Sequence, residues 1–453
     1  MLSAADTIAA IATAAGNAAL GIVRISGPDA KDVLQKVVPA ANAMNAPRQL
    51  RFGRARDIES GVIIDEVLCF YAPAPATATG EDVAEIHGHG GALVLNQLLR
   101  QVLHAGARLA TPGEFTRRAY TNGKMDLTQA EAVMSLIGAR SERAARTAAR
   151  QLGGAIGEAL AAEYDHVTRI SAMLEVCLDF PDEDLPAEQT FEFIKRLTEV
   201  SEKLLGAVRS YRMGQLLTRG AKVVIAGPSN AGKSSLLNAL INEDKALVDS
   251  VPGTTRDIVE APFEIDGIPV TFLDTAGLRF GAKKVEQMGM EKSRKALSQA
   301  DLILLVLDGG DPKSVTKEIV EIVDLYEDSL IPVLNKCDLP LFDSRAFPAA
   351  LKDAVQISAS NKLNLDELHQ EMSKKLSAGQ ATDVILTTAR QLTAVETALD
   401  HITTAKIVLE DNGPPELAAA DMRWAREALA SLWGRDAQTD VIDTIFLSFC
   451  LGK

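Results

Sequence analysis

The sequence predicts a multidomain chain: an N-terminal α+β domain, then a discontinuous helical domain interrupted by an inserted α/β domain with a parallel sheet. Three observations carry this expectation. The chain has 453 residues, about three domains at ~150 residues each. Its hydrophobic periodicity changes character along the chain, from short apolar runs to long helical repeats, to strands alternating with helices, and back to helices. Helices therefore flank the α/β stretch, and because domain termini usually lie close together at the surface, an insertion into one helical domain is the simplest arrangement. The expected divisions are 1–118, 119–215, 216–378 and 379–453.

The elements follow in order. Leu20 to Ile25, Val67 to Tyr71 and Val83 to His87 are strand-like runs separated by Gly and Pro. From Lys124 the pattern becomes helical, with a capping box expected from Thr128 and Glu131 and an apolar face at Val133, Leu136 and Ile137. The helical period continues through Ile156, Leu160, Tyr164, Val167, Leu174 and Cys177 and stops at the acidic, Pro-bounded segment Asp179 to Pro186. A further helix is expected over roughly 190–215. Lys222 to Ala226 reads as a buried strand feeding a Gly-rich loop, and strands alternate with helices to about residue 378. Met422, Ala425, Leu429 and Leu432 mark the returning helices.

Composition narrows the class. Hydrophobic residues at 47% and charged residues at 24% describe a globular protein and exclude global disorder. The longest aliphatic run, Leu302 to Leu307, falls far short of the ~20 residues of a membrane-spanning helix. Asp6 precedes the Ala-rich start and the first positive charge is Arg24, so the N-terminus reads as mature protein rather than a leader. Four dispersed cysteines, Cys69, Cys177, Cys337 and Cys450, without a C-x-x-C pair argue against a zinc site or disulfide framework and point to the cytoplasm. A net charge of −14 means that any nucleic acid must be met by a local basic patch.

Chemistry concentrates after residue 226. Gly227-Pro228-Ser229-Asn230-Ala231-Gly232-Lys233-Ser234 fits G-x-x-x-x-G-K-[ST], with Ser235 next in the following helix. There, backbone N–H groups would cradle phosphates, Lys233 would neutralise β/γ charge and Ser234 would offer Mg²⁺ a hydroxyl; a simple Gly turn is the plainer alternative. Asp274-Thr275-Ala276-Gly277 ends a strand, where Asp274 would hold Mg²⁺ through water and the Gly277 N–H would reach a γ-phosphate. Asn335-Lys336-Cys337-Asp338 follows another, and the Asp338 carboxylate can accept two hydrogen bonds from guanine N1 and N2, a pair adenine does not offer. Ile357-Ser358-Ala359, with Ser360 after it, would present backbone N–H to guanine O6. In this order the motifs resemble those of GTPases and imply a Ras-like P-loop G domain. Between them, Gly253-Thr254-Thr255-Arg256-Asp257 reads as a switch loop in which Thr255 completes the Mg²⁺ shell. Leu278 stands where Ras-type enzymes carry a water-orienting Gln, so Glu286, acting through water, is the candidate substitute; a solvated helix charge is its alternative. Arg256 and Arg279 are weaker candidates for charge stabilisation.

The flanking regions resemble the MnmE/TrmE family of tRNA uridine-34 modification GTPases over nearly the whole chain. The residues that carry the resemblance are Gly21-Ile22-Val23-Arg24-Ile25-Ser26-Gly27, Gly80-Glu81-Asp82-Val83, Pro112-Gly113-Glu114-Phe115-Thr116, Asn122-Gly123-Lys124, Gln129-Ala130-Glu131-Ala132 and the terminal Phe449-Cys450-Leu451-Gly452-Lys453. The resemblance implies a folate-binding-type N-terminal domain that dimerises and holds a tetrahydrofolate derivative, 5-formyl or 5,10-methylene, through Arg24, Glu85, Lys124 and Lys453. Taken singly, each of these four reads first as a surface charge. It implies a nucleotide loop of Asp249, Ser250, Val251, Pro252, Gly253 and Thr254, and K⁺ held by Asn230 with backbone carbonyls around Asp249, Val251 and Thr254. It assigns Glu286 the catalytic carboxylate. It also implies an FAD-dependent partner, MnmG or GidA, and addition of an aminomethyl or carboxymethylaminomethyl group to C5 of the wobble uridine.

Cys450 lies in the terminal motif, either as a nucleophilic thiolate or as an inert thiol. Two departures from the family pattern, Ala14-Ala15-Gly16-Asn17-Ala18 and Arg390-Gln391, touch cofactor-loop detail and leave nucleotide binding intact. His87-Gly88-His89 has the spacing of a metal pair, but no third ligand is evident and no zinc is expected. The competing class is a ribosome-assembly GTPase switch without modification chemistry.

Overall fold

The computed structural model describes residues 6–43, 47–179, 187–248, 263–273, 296–377, 384–435, 439–447, 449 and 452. Two compact units emerge: Met1–Met134 with Gln151–Gly157 and Arg426–Lys453, and Ser135–Arg150 with Glu158–Ala425.

In the first unit the described strands are β1 (Ile8–Ile11), β2 (Ala18–Ser26), β3 (Arg51–Arg56), β4 (Ile63–Ala72), β5 (Val83–Gly90) and β6 (Arg108–Leu109). They pair in the order β3-β4-β5-β2-β1-β6, antiparallel except β1 with β6. Side chains alternate across a strand. Val23, Ile25, Ala84, Ile86, Val67 and Cys69 therefore face Val33, Leu34, Leu95 and Leu98 of helices Ala30–Val37 and Ala92–His104 in one core. Ile8 and Ala10 point the other way, onto Ala110 and Phe115. Burial pushes the Cys69 thiol up to about 11, so it serves as a small apolar filler.

Helix Leu127–Ile137 is capped two residues earlier than the sequence suggests. Asp126 accepts from Gln129 N at 2.9 Å while Gln129 Oε1 accepts from Asp126 N at 2.8 Å. Asp126 and Gln129, not Thr128 and Glu131, thus form the reciprocal cap, because Thr128 is already inside the helix and gives its hydroxyl proton to Asp126. Leu127 and Ala130 of this helix pack against Phe446 and Phe449.

A buried ionic network ties the N-terminal segment to helix Glu114–Thr121. Arg118 donates to Asp6 Oδ1 at 2.6 Å, to Glu81 Oε2 at 3.1 Å and to Glu114 Oε1 at 3.1 Å, and Arg108 reaches the same Glu114 oxygen at 2.7 Å. Burial alone would raise the Glu114 carboxyl, but hydrogen bonds from Arg108, the Thr111 backbone and Arg118 outweigh it and hold the group at about 2. A depressed carboxyl contributes stability that is fully present above its ordinary value of 4.5 and lost as pH falls toward 2. The thermal midpoint of the intact chain is therefore expected to fall across that window. Glu114→Gln, with a lower midpoint at neutral pH, is expected to show a shallower acid limb in the same melts.

In the second unit the described strands are β7 (Ala221–Ala226), β8 (Glu264–Ile265), β9 (Ile268–Leu273), β10 (Leu302–Asp308), β11 (Leu330–Asn335) and β12 (Val355–Gln356). The order is β12-β11-β10-β7-β9-β8, parallel throughout except for the β8–β9 hairpin. A parallel sheet is covered on both faces, which explains the unbroken apolar run in β10. Leu302, Leu304 and Val306 enter one core, and Ile303, Leu305 and Leu307 the other.

Helix Ala187–Arg219 is longer than expected at both ends and runs straight into β7. It packs along helix Ala389–Glu410, and Ser210 Oγ accepts a hydrogen bond from Leu386 N at 3.0 Å. A Cβ on Gly214 would stand 1.8 Å from Leu386 O, so this close approach requires glycine. The segments before and after the α/β region are thereby joined side by side. Among the described residues no helix is long and apolar enough to cross a membrane.

Candidate functional site

The first site lies at the C-terminal ends of β7, β10 and β11, where ligands of open parallel sheets bind. At Gly227 (φ 140°) the chain leaves β7 so close to β10 that a Cβ would stand 2.0 Å from Val306 O. Asn230 (φ 65°) and Gly232 (φ 95°) continue the left-handed turn, and helix Lys233–Val248 starts immediately after. A Cβ on Gly232 would meet Asn335 Nδ2 at 2.1 Å, so the loop is a cradle that side chains would fill. Lys233 Nζ folds over it and donates to the carbonyls of Gly227 at 2.9 Å and Pro228 at 2.7 Å. Ala231 is buried, whereas Asn230, Ser234 and Ser235 are exposed at the mouth of the loop. Such a loop, backed by a helix N-terminus, presents backbone N–H groups and positive potential to phosphate oxygens.

The other end of the site is built on Asn335, which is 2% exposed. Its Nδ2 donates to Ala231 O at 2.8 Å and its Oδ1 accepts from Ala359 N at 3.0 Å, so one side chain fastens the phosphate-type loop to the segment after β12. Lys336 (φ 67°) gives its Nζ to Asp308 Oδ2 at 2.6 Å, at the end of β10. Burial works against the Asp308 anion, but Lys336 and the Gly310 N–H hold its carboxyl below the usual range. Asp338 Oδ2 accepts from Asn361 Nδ2 at 3.0 Å, and Ser358 Oγ accepts from Asn361 N at 3.2 Å. Cys337 N donates to Ile357 O, and burial raises its thiol. Ser358 and Ala359 are buried and Ser360 is exposed.

Asn230, Ala231, Gly232, Lys233, Ser234, Ser235, Asn335, Lys336, Cys337, Asp338, Ser358, Ala359 and Ser360 thus gather on one side of the sheet. Asp249, Ser250, Val251, Pro252, Gly253, Thr254, Thr255, Asp274, Thr275, Ala276, Gly277 and Glu286 lie outside the described residues. Sequence reasoning missed Asp308 and Asn361. A charge closing the apolar run of β10 was a usable signal for Asp308; Asn361 offered none.

A second cluster sits on the face of the first sheet opposite helices Ala30–Val37 and Ala92–His104. Ala10, Arg24, Glu85 and Phe70 stand in one row across β1, β2, β5 and β4. Arg24 Nε donates to Glu85 Oε1 at 2.8 Å, and His87 Nε2 meets Glu85 Oε2 at 2.8 Å with its ring edge-on to Phe70. Both Glu85 oxygens are engaged within the sheet. His89 pairs instead with Asp65 at 2.7 Å, so the two histidines serve different carboxylates. Lys124 is exposed, and its Cγ lies 3.2 Å from where a Gly80 Cβ would be. Gly452 (φ 90°) packs on the end of β1, where a Cβ would meet Ile11 O at 2.3 Å, which brings the terminal motif to the strand beside Arg24. Lys453 and Cys450 lie outside the described residues.

Comparison with known proteins agrees with both halves of this layout. Residues 7–124 match the family model for the GTP-binding protein TrmE N-terminus, and residues 127–450 match the model for the MnmE helical domain. The tRNA modification GTPase MnmE of Desulforamulus reducens is 36% identical over 460 residues, covering 99% of each chain. The proteins of the same name from Streptococcus pneumoniae serotype 4 and Akkermansia muciniphila are 38% and 39% identical, again over 99% of each chain. With a cradle closed by two glycines, a lysine over it and an asparagine clamp behind it, the chain belongs to the MnmE family of tRNA modification GTPases.

Proposed function

We propose that this chain hydrolyses GTP to GDP and phosphate with activation by K⁺. Together with an FAD-dependent partner of the MnmG or GidA type, it adds an aminomethyl or carboxymethylaminomethyl group at C5 of the wobble uridine of tRNA. The one-carbon unit comes from a tetrahydrofolate derivative. The coarser part, a GTP hydrolase acting in tRNA modification, is the family's activity. The observation that supports the reading is the Asn335 clamp, which joins the Gly-rich loop to the segment after β12 that this reading gives to the base.

In this reading Lys233 leaves the Gly227 and Pro228 carbonyls for the β- and γ-phosphates, and the loop N–H groups hold the remaining oxygens. Asp338 accepts from guanine N1 and N2, and the segment Ile357 to Ser360 presents backbone N–H to O6. Ser234, whose hydroxyl is exposed in the first helical turn, and Thr255 hold Mg²⁺; Asn230, exposed and left-handed, holds K⁺ with carbonyls of Asp249, Val251 and Thr254. Bound there, the two cations supply positive charge to the phosphate oxygens in the place of an arginine finger. Glu286 orients the attacking water through a bridging water. Asp274, Thr275, Ala276 and Gly277 sense the γ-phosphate, and Ser250, Pro252 and Gly253 shape the loop.

The folate derivative would lie against the Arg24–Glu85–His87 row, where a carboxylated tail suits Arg24, Lys124 and Lys453 and a pterin amide edge suits Glu85. Cys450 is the adjacent candidate nucleophile. The proposed organisation is 1–118 for cofactor binding and homodimerisation, 119–215 and 379–453 for the helical domain and 216–378 for the G domain, in a cytoplasmic protein.

Initial-rate GTP hydrolysis in K⁺ and Na⁺ at matched ionic strength tests this. K⁺ is expected to raise turnover by about tenfold or more, with the gain lost in Asn230→Ala. Glu286→Ala should bind GTP normally while kcat falls by about 10²-fold or more. Equal rates in both salts would sink the K⁺ assignment.

A further inference from the structure

Helix Glu142–Leu152, with Arg140 just before its start, carries a concentration of positive charge that the nucleotide and folate sites leave unused. Arg140, Arg143, Arg146 and Arg150 stand against a single acid, Glu142, in a chain whose net charge is −14. Positions 143, 146 and 150 form one row, because residues three and four apart are neighbours on a helix. The opposite side is apolar and inward, with Ala144 and Ala148 buried.

The arginines do different jobs. Arg143 is half-buried and gives Nη1 to Asp266 O at 3.1 Å, while Ser141 Oγ donates to Gly267 O at 2.5 Å, so the start of the helix is pinned to the β8–β9 turn. The Asp266 carboxylate is taken by the Ser373 hydroxyl. Arg140, Arg146 and Arg150 are exposed. Only Arg146 has an ion pair with a described residue, Glu142, and both side chains of that pair are more than three-quarters exposed, so water and salt compete with it freely. Arg146 and Arg150 are like charges four apart, an arrangement unfavourable to an isolated helix and relieved by a polyanion.

We infer that Arg140, Arg146 and Arg150 form a contact surface for the phosphate backbone of tRNA, an inference that rests on the reading of this chain as acting on tRNA. Contact with a phosphate backbone needs positive charges on a rigid support, and the pinned helix supplies one. An acidic protein surface fits less well. Protein interfaces are anchored by buried aromatic or large aliphatic side chains, and the exposed side of this helix offers only Ala149 beside its charges.

The test is titration of fluorescently labelled, unmodified tRNA with the full chain at several salt concentrations. The variants are Arg140→Gln/Arg146→Gln/Arg150→Gln, the same positions changed to Lys, and a control, Arg54→Gln/Arg56→Gln, which alters exposed charges on β3. The triple Gln variant is expected to bind about 10- to 100-fold more weakly near 0.1 M salt and to lower the slope of log affinity against log salt by about 3. The Lys variant and the control should bind as wild type does, and RNA-free GTP hydrolysis should be unchanged in all. Undiminished tRNA affinity in the triple Gln variant overturns the inference, as does loss of affinity only for the FAD-dependent partner. If the wild-type chain itself binds no tRNA, the underlying functional reading falls and takes the surface with it.

Discussion

Asn335→Ala is expected to weaken GTP binding by about 100-fold or more. The side chain is buried and spends both its polar atoms on backbone, one on Ala231 O and one on Ala359 N. Truncation leaves two buried backbone groups unpaired, at about 1–3 kcal/mol each. Because they belong to the two ends of the nucleotide site, that cost falls on the bound geometry, and each 1.4 kcal/mol is about a tenfold change in affinity. Titration with a fluorescent guanine nucleotide reads the effect. Asn335→Asp keeps the acceptor for Ala359 N but turns a carboxylate toward Ala231 O, so it should fall close to the Ala variant. Wild-type affinity in Asn335→Ala would show that the clamp is dispensable.

The second large effect is on stability. Arg118 is joined to Asp6, Glu81 and Glu114, and Glu114 has a side chain only 1% exposed. Removing the cation leaves Glu81 without its guanidinium and Asp6 and Glu114 with Arg108 alone, and breaking a buried pair in this way costs about 3–5 kcal/mol. Arg118→Met should therefore lower the melting temperature of the first unit by about 10 °C, read by calorimetry on the full chain. Arg54→Met, which removes an exposed partner of Glu66, should move it by no more than about 1–2 °C. Equal shifts in the two variants would contradict the network's role.

Much of this was legible in the chain because the signals are local. The phosphate loop is a run of adjacent residues whose glycines have one conformational reason each, and β10 announces its double-sided burial by an unbroken apolar run. What depends on register or distant contact was not. Glu85 could be singled out, but its pairing with Arg24 and His87 follows from how β2 lies on β5. The Asn335 clamp joins residues from three separate segments. The cap of helix Leu127–Ile137 was misplaced by two residues because Asp126-x-x-Gln129 and Thr128-x-x-Glu131 satisfy the same pattern, and only the hydrogen bonds choose between them.

The pairing of Leu127 and Ala130 with Phe446 and Phe449 has a consequence for how the protein is made. The sheet-and-helix core of the first unit is drawn from residues 9–107 and can close early, but the cluster at Leu127 and Ala130 cannot be completed until Phe446 and Phe449 are synthesised. At translation rates of about 5–20 residues per second, the intervening stretch takes roughly 15–60 s. During that interval the α/β region, whose sheet is drawn from one continuous stretch, can fold, while the apolar face of Leu127 and Ala130 waits open to solvent and to chaperones.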